Sequence, residues 1–303
     1  MKDIPDFGTF RKIEPITKGR SNDKKFFIET FDHKRMLLRL TDIKEFDRKK
    51  IEYEMMERIY QFDVLSPKPY SFGLCDGGKS VYSLSEWLEG EDAESALPRM
   101  NETEQYSAGV KAGVVLRKIH TLPAPDNAEP WDLRFENKVQ TRIKLYHKHR
   151  LKSESGNKII KYLQDNQGLL KNRPQTFWHG AFETGNQMIM PDGEVGTIDF
   201  NYWILGYGDP WFEFITVPWG KEPIAHHFTG MINGYFDNDP PYEFFKLLSC
   251  YFACDALSAL CYTFMGIEHY RPEDGRQHMD NILRWFDDMN NPIPTWYKTD
   301  FSK

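Results

Sequence analysis

The chain has 303 residues, room for one large domain or two coupled lobes, and is 40% hydrophobic and 28% charged. That mixture is too apolar for a disordered chain and too varied for a coiled coil. Lys plus Arg total 39 against 45 Asp plus Glu, a formal charge of -6, which argues against the basic face that general nucleic-acid binding needs. Aromatic residues reach 15%, which predicts a large core or an aromatic-lined pocket.

The first ninety residues read as strands with one helix. A strand is expected over 10–17, ending at Lys18-Gly19. Residues 24–30 and 35–41 form a hairpin pattern around Phe31-Asp32-His33-Lys34, although that turn lacks Gly. Ile51, Met55 and Ile59 recur every four residues and predict a helix over 47–60. Strands over 70–75 and 80–88 flank the tight turn Asp76-Gly77-Gly78. After Glu89-Gly90-Glu91-Asp92 the character changes. Helices are expected over 102–120 (apolar positions Val110, Val114, Leu116 and Ile119), 157–170 and 277–289. Short strands are expected near Phe177 and within 188–197, with a tail docked through Trp296 and Tyr297. The organisation is α+β: a small antiparallel lobe over 1–88 and a helical lobe over 89–303, joined near Glu86–Glu91.

Cys75, Cys250, Cys254 and Cys261 form no CxxC pair, so no zinc site is expected, and so few cysteines fit a reducing cytosol. The opening Met1-Lys2-Asp3-Ile4-Pro5 lacks the apolar core of a signal peptide. Residues 247–267 are apolar enough to span a bilayer, but Asp255 near their middle favours a buried helix. A cytoplasmic location, with no membrane and no nucleic-acid partner, is the expectation. The oligomeric state, monomer or homodimer, stays open.

The chemistry concentrates between Phe177 and Phe214. His179-Gly180 and residue 181 are followed, after four further residues, by Asn186; Ile198-Asp199-Phe200 and Gly208-Asp209-Pro210, with Glu213, come next. This series resembles the aminoglycoside phosphotransferases, relatives of the eukaryotic protein kinases that also include choline and macrolide kinases. The resemblance spans essentially the whole chain and implies a two-lobed protein-kinase-like fold. It implies O-phosphorylation of a small-molecule hydroxyl, plausibly on an antibiotic, with ATP (or GTP) and Mg2+. Phosphoryl transfer is mostly positioning plus neutralisation of charge. The resemblance therefore assigns Asn186 and Asp199 to the metal, Arg39 to the phosphates where the family usually has Lys, and Glu54 to a supporting carboxylate. It places Ser21 in the loop over the phosphates, Glu86 and Leu88 in the connector at the base edge, and His179 as a brace of the catalytic loop.

The position that should carry the catalytic Asp is Ala181. A methyl group neither orients an attacking hydroxyl nor takes its proton. Phe182 offers no carboxylate, and Glu183 lies two residues along the loop. Ala181 fits an inactivating substitution, a natural pseudoenzyme, or a pocket remodelled to hold an apolar ligand without chemistry. Glu183, Tyr202, Trp203, Trp211 and Phe212 are the expected pocket wall, although aromatic groups are more often core. Asp209 before Pro210 reads as a helix cap. His226-His227 face apart on a helix and are not expected to hold a metal.

Overall fold

The structure is a computed structural model, and it describes residues 1–18, 22–149, 151, 153–200, 206–216, 221–265 and 271–301. Five antiparallel strands come first: β1 (Phe10–Ile16), β2 (Lys24–Thr30), β3 (Arg35–Asp42), β4 (Pro69–Cys75) and β5 (Ser80–Glu86), in the order β1-β2-β3-β5-β4. Helix α1 (Phe46–Tyr60) joins β3 to β4. The period of two in β3 sorts its side chains. Met36, Leu38 and Leu40 are buried with Ile28, Cys75, Tyr82 and Leu84 in a sheet core, while Leu37 and Arg39 face the other way, into a cleft. The β2–β3 turn manages without Gly because His33 takes the left-handed conformation (φ 63°).

The rest is helical with short strands, so the fold is the expected two-lobed α+β arrangement. In chain order it runs β6 (Glu91–Asp92), α2 (Ala93–Ala96), α3 (Glu102–Ile119), α4 (Trp131–Lys148), α5 (Glu154–Asp165), β7 (Thr176–Phe177), β8 (Gln187–Ile189), β9 (Val195–Thr197), β10 (Tyr207–Gly208), α6 (Ala225–Tyr235), α7 (Tyr242–Tyr262) and α8 (Pro272–Trp285). Sequence patterning missed α4. Its buried stripe (Trp131, Phe135, Val139, Ile143, Tyr146) is genuine, but it is diluted by charges and starts without a side-chain cap. Helix α5 begins earlier than expected, because the Ser153 hydroxyl accepts from Gly156 N at 3.0 Å. Helix α8 ends earlier, because Asp287, Asp288 and Met289 all take positive φ.

Val110 and Val114 are only half-buried, contrary to their expected core role. The buried stripe of α3 is instead Ala108, Gly109, Ala112, Gly113, Val115, Leu116 and Ile119. Small residues are needed there because α6 lies backbone against backbone. A Cβ at Gly109 or Gly113 would strike the carbonyl oxygen of His227 or Met231. A Cβ at Gly230 or Gly234 would strike that of Tyr106 or Val110. Two Gly-x-x-x-Gly pairs thus meet reciprocally.

Helix α7 is long and apolar enough to cross a membrane, but 89% of its apolar window is buried inside the protein. Asp255 pairs with His278 of α8 at 2.8 Å, which accounts for a carboxylate in so apolar a segment. The four cysteines are free and buried. The tail docks as expected: Trp296 is buried, and the Tyr297 hydroxyl donates to Asn233 Oδ1 at 2.7 Å.

His227 of α6 is buried and meets the side-chain oxygen of Gln187 in β8 at 2.9 Å. Burial pushes its pKa down from 6.5 to about 4. The unfolded chain therefore binds this proton more readily than the folded one. The contribution of His227 to stability is fully present above about pH 6.5 and is lost by about 1.4 kcal/mol per unit as the pH drops toward 4. A His227→Gln variant should lose that slope in urea titrations at stepped pH. A variant curve parallel to wild type would rule this account out.

Candidate active site

The cleft-facing side of the sheet roofs an open cleft. Leu37 and Arg39 of β3, Ser83 and Ser85 of β5, and the connector Glu86-Trp87-Leu88 form its roof and back. Lys49, Glu52, Tyr53 and Met56 of α1 close one side, and Met188, Ile198, Asp199 and Phe200 form the floor. At the connector, the Trp87 N–H is taken by Arg35 O at 3.2 Å. Among the described residues the Leu88 N–H has no backbone acceptor, which leaves a donor at the cleft edge.

Four of the sequence-predicted residues, Arg39, Glu86, Leu88 and Asp199, line this one cleft. Arg39 Nη2 sits 2.6 Å from Asp199 Oδ1. Burial alone would raise the Asp199 pKa, but the Arg39 guanidinium outweighs it and holds the carboxyl below its ordinary range. Asp199 adopts φ 66°, a left-handed conformation that is uncommon outside Gly and is found where a side chain must be aimed.

Glu54 does not belong to the group. It is exposed on α1 and faces Lys50 at 3.8 Å. The helical phase explains this. At 3.6 residues per turn, positions 49, 52, 53 and 56 share one face, and position 54 is roughly 140° away from Lys49. The cleft carboxylate of α1 is Glu52, 2.8 Å from Lys49 Nζ. Lys49 also meets Asp23 at 2.7 Å, in a buried pair that composition alone did not reveal. Ser21, Tyr202 and Trp203 lie outside the described residues.

The loop below the cleft is pinned on both sides of residue 181. Glu213 is buried and its two carboxylate oxygens accept from His179 N (2.8 Å) and Gly180 N (2.7 Å). His120 Nε2 braces Glu213 at 3.0 Å, and the Tyr235 hydroxyl meets His120 Nδ1 at 2.9 Å. Gly180 has φ 82°, so the loop needs Gly there. His179 is fully buried. Its Nε2 lies 2.7 Å from Thr197 Oγ1, and its Nδ1 accepts from Ala181 N at 3.3 Å. Burial holds its pKa below the ordinary value, which favours a neutral ring.

Asn186 Nδ2 donates to Ala181 O at 2.9 Å, leaving the amide oxygen as its remaining acceptor. Asn186 O accepts from Ile198 N at 2.9 Å, so the loop abuts the segment bearing Asp199. One amide oxygen and one carboxylate are hard oxygen donors of the kind a divalent cation such as Mg2+ takes. The residues present therefore fit the metal that the resemblance implies.

The expected pocket wall is corrected in part. Phe212 is buried in the core between Trp131, Trp178 and Tyr251. Trp211 packs edge-on against Phe236 and Phe244 with the Arg173 guanidinium over its ring. These aromatics hold the helical lobe together. Glu183 is half-buried, with its N–H on Ala181 O at 2.8 Å. Asp209 does cap: it accepts from Trp211 N at 2.8 Å, and it also meets Arg173 at 2.6 Å and the Tyr251 hydroxyl at 2.6 Å.

The sequence model of the phosphotransferase enzyme family matches residues 12–245. The chain belongs to that family. Similar solved structures include the GDP complex of wild-type aminoglycoside 2'-phosphotransferase-IIIa, at 12% identity, TM-score 0.70 and 96% coverage of each chain. The gentamicin complex of APH(2'')-IIa aligns at 13% identity and TM-score 0.62, covering 89% of this chain and 91% of that one. ADP-bound APH(2'')-Ib aligns at 13% identity and TM-score 0.58, with 95% coverage of each. At these identities the likeness establishes a shared fold. No curated protein matches the sequence.

Proposed function

We propose that this family member binds a magnesium-nucleoside triphosphate, ATP or GTP, in the cleft. Phosphate transfer to a small-molecule hydroxyl is then absent or slow, because residue 181 is Ala. The observation that carries the reading is the convergence of Arg39, Asp199 and Leu88 on one cavity, with Asn186 tied to the loop beside it. In this reading Leu88 offers its N–H to the base edge, and Arg39 turns from Asp199 to the phosphates. Asn186 and Asp199 hold the cation, which supplies charge neutralisation when bound. Glu213, His120 and His179 keep the loop in shape. Residues 1–88 and 89–303 act as the two jaws. The GDP, ADP and gentamicin bound by the similar proteins support a nucleotide and a small-molecule acceptor here. Four buried free thiols fit a cytoplasmic setting.

The second reading is binding of an apolar ligand in place of a nucleotide; Phe212, buried in the core, and Trp211, packed against other rings, do not favour it. Calorimetric titration with ATP and GTP, with and without Mg2+, tests the proposal. Magnesium-dependent binding between micromolar and millimolar Kd is expected. Absence of binding at high nucleotide concentration would remove the proposal.

A further inference from the structure

We propose that Lys25 of β2 is a phosphate-binding cation of the nucleotide site, acting beside Arg39 across the β2–β3 ladder. This rests on reading the cleft as a nucleotide site and adds a residue that neither the motif series nor β3 supplies.

Lys25 stands directly opposite Arg39 in the antiparallel register. Directly opposed residues project from the same face of a sheet, so both side chains are on the cleft side. The neighbouring pair agrees: Phe27 lies opposite Leu37, Leu37 lines the cleft, and the Phe27 ring meets Trp87 of the connector edge-on at 5.1 Å. Burial lowers the Lys25 pKa, and the charges of Arg39, Asp199, Asp23 and Lys49 all act on its ammonium group. It therefore lies among the charged groups at the phosphate end.

The charges at this end are unequally committed. Lys49 is held by Asp23 at 2.7 Å and Glu52 at 2.8 Å, and Arg39 is held by Asp199 at 2.6 Å with Asp23 at 3.6 Å. Lys25 pairs with no carboxylate among the described residues. Its Nζ donates to the carbonyl of Lys18 at 2.8 Å, at the start of the β1–β2 connection. A half-buried ammonium with only a neutral partner, next to a second cation, is poorly compensated. An anionic ligand supplies the missing compensation, and a triphosphate presents several charged oxygens to cations on one face. Lys49, already neutralised, supports α1 and does not compete for the phosphates.

Titration calorimetry of the full chain with Mg-ATP and with adenosine tests this. Lys25→Met is expected to weaken Mg-ATP binding about tenfold or more while leaving adenosine within about twofold. Lys25→Arg is expected to recover most of the loss, and wild type is expected to show a steeper salt dependence for ATP than Lys25→Met. Unchanged ATP affinity in Lys25→Met overturns the assignment, as does an equal loss for both ligands, which marks a merely structural role. Wild-type protein that binds neither ligand overturns the nucleotide reading itself, and this assignment with it.

Discussion

Ala181→Asp is expected to raise phosphate transfer from Mg-ATP by about 10²–10⁴-fold, the usual contribution of a positioned general base. The expectation rests on how completely the loop around residue 181 is already fixed. Its backbone N–H meets His179 Nδ1, its carbonyl accepts from Asn186, and the two preceding N–H groups are gripped by Glu213. A restored carboxylate thus enters a loop that needs no remodelling. The readout is ADP release by wild type and variant against a panel of aminoglycosides, macrolides and choline, with water as the default acceptor. A second change, Asp199→Asn, should abolish the gain if the carboxylate works through the metal site. Equal rates for wild type and Ala181→Asp across the panel, with nucleotide bound in both, would show that the missing base is not what limits the chain.

Gly234→Ala is expected to destabilise the protein by about 3 kcal/mol, the upper part of the range for overpacking. At an ordinary helical site the same change stabilises by up to about 1 kcal/mol, since Ala is the better helix former. The sign reverses here because the added methyl would meet the backbone of Val110, which cannot rotate aside as a side chain can. Gly113→Ala should behave alike against Met231. For a chain of this size the loss corresponds to roughly 5 °C in Tm, read by thermal or urea unfolding. Gly168, where an added Cβ meets nothing within 4 Å, is the control and should tolerate Ala. Unaltered stability in both core variants would mean that the two helices can separate at little cost.

Some of this architecture was legible in the residues alone. Alternation in β3 separates Leu38 from Arg39, and the spacing of His179, Asn186 and Asp199 draws the loop and its hairpin together. Asp209-Pro210 announces a cap, which the Trp211 N–H bond bears out. What stayed hidden depends on partners distant in sequence. Glu52 and Glu54 are equivalent as letters, and only the phase of α1 against the cleft separates them. The register that sets Lys25 beside Arg39 is a property of two paired strands. The glycines of α3 read as weak helix positions until α6 is placed against them. The aromatic run ending at Phe212 has the same composition whether it lines a pocket or fills a core.

Helix α1 has divided loyalties. Its Met55 and Ile59 belong to the apolar cluster of the helical lobe, while its Lys49 is ion-paired with Asp23 next to the sheet. A hinge that swung the sheet away from the helices would have to break that buried pair, or else peel Met55 and Ile59 off their neighbours. The first route leaves Lys49 with Glu52 and Asp23 with Arg39, so it costs less than an orphaned buried charge, while exposing two apolar side chains costs about 3–6 kcal/mol. The helix is therefore a strut between the jaws. A rigid swing of the sheet away from the helices would disturb α1 at one end or the other.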